Sequence, residues 1–101
     1  RILFDNFSSK THTIIEINAR DKIGLLSLLA TALFDSGLQI TTARISTYGL
    51  RAVDVFYVKD ITGMKITDER KISNIKHNMA NIIDEKFSES NQKIKEFKIA
   101  Q

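Results

Sequence analysis

Residues 40–59 read ITTARISTYGLRAVDVFYVK. Two β-rich arms flank Gly49-Leu50, a pair suited to a two-residue hairpin turn with Gly at its first central position. The first arm, Ile40 to Tyr48, carries β-branched residues throughout and no helix breaker. The return arm, Arg51 to Lys59, puts Val53, Val55 and Tyr57 on one face and Ala52, Phe56 and Val58 on the other. A strand that is apolar on both sides needs both sides covered. Helices can take one side; the other requires a second copy or a neighbouring domain.

Working back towards the N-terminus, Lys22 to Ser36 reads as a helix. Asp21 can cap it, and Leu25, Leu26, Leu29, Ala32 and Leu33 form an apolar stripe at helical spacing. Gly37 suits a left-handed C-terminal cap, with Leu38 packing back on the last turn. Before the helix, Thr13, Ile15, Ile17 and Ala19 share one strand face, with Glu16 and Asn18 on the other. Ile2, Leu3 and Phe4 make the core of a short strand, joined to it by the polar turn Asn6 to Lys10.

Working forward, Asp60 to Lys65 is a turn. Thr67 can cap a second helix, with Asp68 and Glu69 favourable near its N-terminus. Ile72, Ile75, Met79, Ile82 and Ile83 fall on one face of that helix, which is expected to end between Asp84 and Ser88. Residues 1–87 then form the domain. Residues 88–101 form a tail, either disordered or a last short strand near Ile94 to Ile99. The order is ββαββα. It predicts an α+β, ferredoxin-like sandwich: a four-stranded antiparallel sheet with two helices on one face. Ile2 to Asp5 takes the edge position usually filled by the last strand.

The chain's 101 residues, 43% hydrophobic and 27% charged, suit one ordinary globular domain. No apolar run approaches the roughly 20 residues of a membrane helix. Arg1 opens the chain with no charged-then-apolar leader after it, so a piece of a longer protein is expected rather than a secreted one. There is no cysteine, which fits a cytoplasmic setting. The net charge of +3 comes largely from Lys71, Lys76, Lys86, Lys93, Lys95 and Lys98, interspersed with acids as on a solvated helix face.

The inventory for catalysis is thin. His12 and His77 are far apart and read as solvated, and no metal-ligand spacing, Asp-x-Asp pair or phosphate-binding glycine loop is present. No enzyme activity, metal or cofactor is expected of these residues. The informative stretch is Asn18 to Leu26, NARDKIGLL, which joins a strand to a helix. Gly24 falls in the first turn, where glycine costs up to about 1 kcal/mol relative to alanine. Either it lets a small ligand approach the helix N-terminus, whose N–H groups suit a carboxylate, or it permits close packing against a strand.

The run ARDKIGLL, followed by GLQI at 37–40, resembles the opening of ACT domains, small amino-acid-binding regulatory modules. Residues 43–60, with ILFDN at 2–6 and TGMKI at 62–66, more closely resemble the C-terminal ACT domain of the bacterial uridylyltransferase/uridylyl-removing enzymes that modify the nitrogen-signalling protein PII. The resemblance spans Ile2 to Ile83. It implies a glutamine-sensing role, with the catalytic domains outside the present residues. It also implies a ligand held between two copies, or between this chain and a neighbouring ACT domain. The binding loop would supply Asn18, Asp21, Gly24, Leu25 and Leu26, facing Gln39 and Ile40 of the other copy. In that carry-over Asn18 meets the ligand's side-chain amide or amino group. Asp21 pairs with the amino group or caps the helix, and the N–H groups near Gly24 to Leu26 take the carboxylate. Many relatives have Pro before the glycine; here Ile23 loosens the loop.

Two other readings compete. An ACT fold without a ligand site would serve only dimerisation or contacts to catalytic domains. An RNA-binding sandwich would share the element order, but Phe56 and Tyr57 are adjacent and so face opposite ways, and Asp54 sits beside Phe56. Neither nucleic acid nor membrane is therefore an expected partner.

Overall fold

The computed structural model describes the backbone of residues 1–100 and the side chains of residues 1–84. Its elements are β1 (Ile2–Asp5), β2 (Thr13–Arg20), α1 (Leu25–Asp35), β3 (Gln39–Tyr48), β4 (Arg51–Lys59) and α2 (Glu69–Ala100). The strands form one antiparallel sheet in the order β1-β2-β4-β3. This is the expected ferredoxin-like sandwich, with the N-terminal strand on the edge beside β2.

Side-chain alternation decides which face becomes the core. Thr13, Ile15, Ile17 and Ala19 lie opposite Val58, Phe56, Asp54 and Ala52, and all eight are buried. Both helices pack on this face. Leu25, Leu29 and Leu33 of α1 and Ile75 and Met79 of α2 complete the core, with Ile2 and Phe4 packed against it from β1. Ile14, Asn18, Val53, Val55 and Tyr57 point to the other face, which no helix covers, and are half-buried.

The element ends differ from the sequence expectation in three places. Helix α1 begins at Leu25 rather than Lys22, because Gly24 adopts φ +80° as its N-cap. Asp21 therefore does not cap it, and the chain bends through a turn in which Leu25 N–H donates to the Lys22 carbonyl at 3.2 Å. At α2 the capping group is Asp68, not Thr67: Asp68 Oδ1 accepts from the N–H groups of Arg70 (2.9 Å) and Lys71 (3.3 Å). Helix α2 also continues to Ala100 instead of ending by Ser88, which replaces the alternative of a last strand near 94–99. After Gly63 the sequence contains no Gly or Pro to stop it. The expected division at residue 87 falls where side chains lie outside the described residues. The C-terminus of α1 is as expected: Leu38 N–H donates to Leu33 and Gly37 N–H to Phe34, closing the helix while Leu38 is buried.

One buried polar contact ties the start of the sheet to the loop before α2. The Thr13 hydroxyl donates to Asn6 Oδ1 and accepts from the Ile66 N–H at 2.9 Å, and Asn6 Nδ2 donates to the Ile66 carbonyl at 2.7 Å. Thr13 is fully buried, so nothing replaces these bonds if the hydroxyl is lost. Thr13→Val keeps the shape and removes the hydroxyl. Denaturant unfolding should show it less stable by about 1–3 kcal/mol, the cost of buried groups left without a partner.

Candidate functional site

The loop from Arg20 to Leu25 leaves β2 at the end of the sheet that also carries the β3–β4 hairpin. Asp21 N–H donates to the Leu50 carbonyl at 2.8 Å, so loop and hairpin touch. Gly24 is required here by its backbone angle. A Cβ at this position would meet nothing within 4 Å, so close packing against a strand is not its purpose. Ile23 precedes the cap, outside the helix, and is 97% exposed. A proline there would not preset a helical residue. Among the described residues, no acceptor meets the N–H groups of Gly24 or Leu26.

The expected site residues separate into three groups. Asp21, Gly24, Leu25 and Leu26 stand together at the N-terminus of α1, with Leu25 buried in the core. Asn18 lies on the other face of the sheet. Its Oδ1 accepts from Arg51 Nε at 3.0 Å, and its backbone exchanges hydrogen bonds with Arg1. Gln39 and Ile40 begin β3 at the opposite end, paired with Lys59 and Val58, and Gln39 Nε2 donates to the carbonyls of Asp60 and Ile61. From Gln39 to Tyr48 is roughly 30 Å at about 3.3 Å per residue. Within one chain, then, the loop and the start of β3 do not meet.

The loop end carries exposed apolar side chains. Besides Ile23, they are Ile45, Tyr48 and Leu50, the last two 68% and 71% exposed. Among the described residues, strand β3 pairs only with β4, and it is exposed along nearly all of its length. On the buried face of β4 lies a carboxylate that periodicity did not mark as functional. Asp54 is only 4% exposed. Burial raises its pKa, and the nearby Asp21 carboxylate raises it further. Its position on the buried face was legible from strand alternation, but a charge on an apolar face gave no sign of its purpose.

Among the described residues, cavities lie elsewhere. One of about 570 Å³ is lined by Lys10, Lys59, Asp60 and Lys65 at the far end of the sheet. Asp60 is engaged there: hydrogen bonds from the Thr62 hydroxyl and from the Met64 N–H hold its pKa below the usual carboxylate value. Two others border α2 and β1. His12, expected to be solvated, is half-buried and bridges Thr11 and Thr41 at 2.7 and 3.0 Å. Phe56 is fully buried, so it offers no stacking face to a nucleic acid. Among the described residues, no group of three or more His, Asp or Glu can hold a metal, and no helix is long and apolar enough to cross a membrane.

A four-stranded antiparallel sheet with both helices on one face, and a glycine-capped helix opening beside a hairpin, defines the class of small ferredoxin-like sandwiches. Within that class the chain belongs to the ACT domains: the profile described as "ACR family N-terminal ACT domain" matches residues 8–86. The chain is 53% identical over 79 residues to a bifunctional uridylyltransferase/uridylyl-removing enzyme of Azospirillum brasilense, covering 78% of this chain and 8% of that protein. Proteins of the same description from Rhodospirillum rubrum and Gluconobacter oxydans are 54% and 49% identical over 76 and 79 residues, covering 75% and 78% of this chain and 8% of each relative. The chain thus spans about 8% of the length of these relatives. No solved structure matches it.

The raised pKa of Asp54 has a consequence for stability. The folded chain holds that proton to a higher pH than the unfolded chain, so stability falls as pH rises from the ordinary carboxylate range through the raised value. Above that window the buried charge is a constant cost. Asp54→Asn should therefore melt at a higher temperature than the wild type at neutral pH. The difference should close as pH falls through the window, as followed by thermal unfolding across a pH series.

Proposed function

We propose that this chain is an amino-acid-sensing module of a bifunctional uridylyltransferase/uridylyl-removing enzyme, with L-glutamine as its ligand, and that it carries no catalytic step itself. The enzyme's reactions on PII belong to domains outside these residues. In this proposal the module is the first of an ACT pair in the C-terminal part of that enzyme. Glutamine bound to it signals nitrogen sufficiency and favours removal of UMP over its addition.

The observation that carries the proposal is the separation of the two halves of the site along β3. The loop at Asp21 to Leu26 lies at the Tyr48 end of this strand, and Gln39 and Ile40 lie at its start. The outer edge of β3 is unpaired among the described residues. A second copy, or a neighbouring ACT domain, pairing antiparallel along that edge brings its own Gln39 end beside the loop. The helix N-terminus then offers N–H groups to the ligand carboxylate. The exposed Ile23, Tyr48 and Leu50 become covered. Arg44 and a bulge near Thr41 are the only interruptions that would discourage such edge pairing.

Calorimetric titration with L-glutamine, with L-glutamate as control and the solution mass determined in parallel, tests this. Saturable binding selective for glutamine by a dimer is expected. Gly24→Val should abolish it, since a β-branched residue is strained at φ +80° and cannot hold the loop. A well-folded dimer that binds no amino acid would contradict sensing and leave a purely structural module.

A further inference from the structure

Asp54 is opposed by Ile17 on β2 and Ile45 on β3, both apolar. The fold would accept a hydrophobic residue there. A buried carboxylate without a compensating partner is unfavourable, so its presence needs a reason. The influences on it are burial and the like charge of Asp21; no donor or cation is among them. Among the described residues, no side-chain polar atom is both sealed from solvent and unpartnered. The Asp54 oxygens therefore keep a narrow opening. The register partner of Asp54 on the edge strand, Ile45, is half-exposed, and Asp21 in the loop lies within electrostatic reach.

Two opposite electrical features thus meet through Asp21, which lies within electrostatic reach of Asp54 and three residues ahead of the Gly24 cap. One is the carboxylate pair Asp54 and Asp21. The other is the positive end of α1, where the Gly24 and Leu26 N–H groups have no acceptor among the described residues. An α-amino acid bears an ammonium and a carboxylate on the same carbon, and so matches both at once. We propose that Asp54 is the group that binds the ammonium of the ligand, with Asp21 assisting from the loop and the α1 N–H groups taking the carboxylate. This rests on the sensing function proposed above and replaces one part of the family-based expectation. Asn18 is held by Arg51 on the other face of the sheet and is not the amino-group contact. The ligand's cation supplies the partner that the fold withholds from Asp54.

The test compares wild type and Asp54→Asn in calorimetric titrations with L-glutamine and with N-acetyl-L-glutamine, whose nitrogen is uncharged. Loss of one charge-assisted hydrogen bond should weaken L-glutamine binding by roughly tenfold or more. Binding of the N-acetyl compound should be weak and equal in both proteins. A second readout needs no variant: in carbon NMR of the wild type, L-glutamine should lower the pH at which the Asp54 carboxyl titrates. A folded Asp54→Asn that binds L-glutamine as tightly as wild type, or an Asp54 midpoint unmoved by saturating L-glutamine, would overturn the assignment while leaving the sensing function standing. Failure of the wild-type dimer to bind any amino acid would overturn both.

Discussion

Strand β3 directs one row of its backbone N–H and C=O groups to β4 and the other row away from the sheet. Unpaired strand edges invite pairing with another chain, and ten residues make a long one. The open edge follows from the topology. The N-terminal strand closes the sheet beside β2, so nothing in the described chain remains to close it beside β3. Helix α1 carries the chain from the hairpin end of the sheet back to the start of β3, which separates the two halves of the candidate site. The same connection that builds the core prevents a single copy from completing the site.

Asp54 marks where the fold and the proposed function pull in different directions. Every other side chain that β2 and β4 direct at the helices is apolar or, like Thr13, fully hydrogen-bonded. A core made for stability alone would carry an apolar residue between Ile17 and Ile45. The carboxylate instead lies on the helix-facing side of β4, within electrostatic reach of Asp21 in the loop. A charge kept short of partners in the empty chain is well suited to a ligand that brings one.

Most of the fold was legible because alternation on β2 and β4 and the 3.6-residue stripe on α1 are strong, local signals. The sheet order followed from them once Ile2 to Asp5 was given the free edge. The helix starts were less legible. Asp21 and Thr67 are good capping residues by type, yet a positive φ at Gly24 and the Asp68 carboxylate decide the actual starts. The end of α2 was missed because Lys- and Glu-rich sequence without Gly or Pro is weakly patterned but still able to continue a helix. Of the site, the loop was visible from NARDKIGLL and alternation placed Asn18 on the outer face, but what holds Asn18 there was not visible. Its hydrogen bond to Arg51 joins residues 33 positions apart, a contact that no local pattern announces.

The central claim is that two copies build each ligand site together, and mixing two defective variants tests it most directly. Gly24→Val damages the loop half and Gln39→Arg the β3 half. Each alone should bind no L-glutamine. In a two-fold dimer of one variant with the other, one site combines both defects and its companion combines both intact halves. The account predicts that the mixture regains part of the wild-type binding capacity at wild-type affinity. Mixed dimers that form, but bind no more L-glutamine than either variant alone, would contradict it.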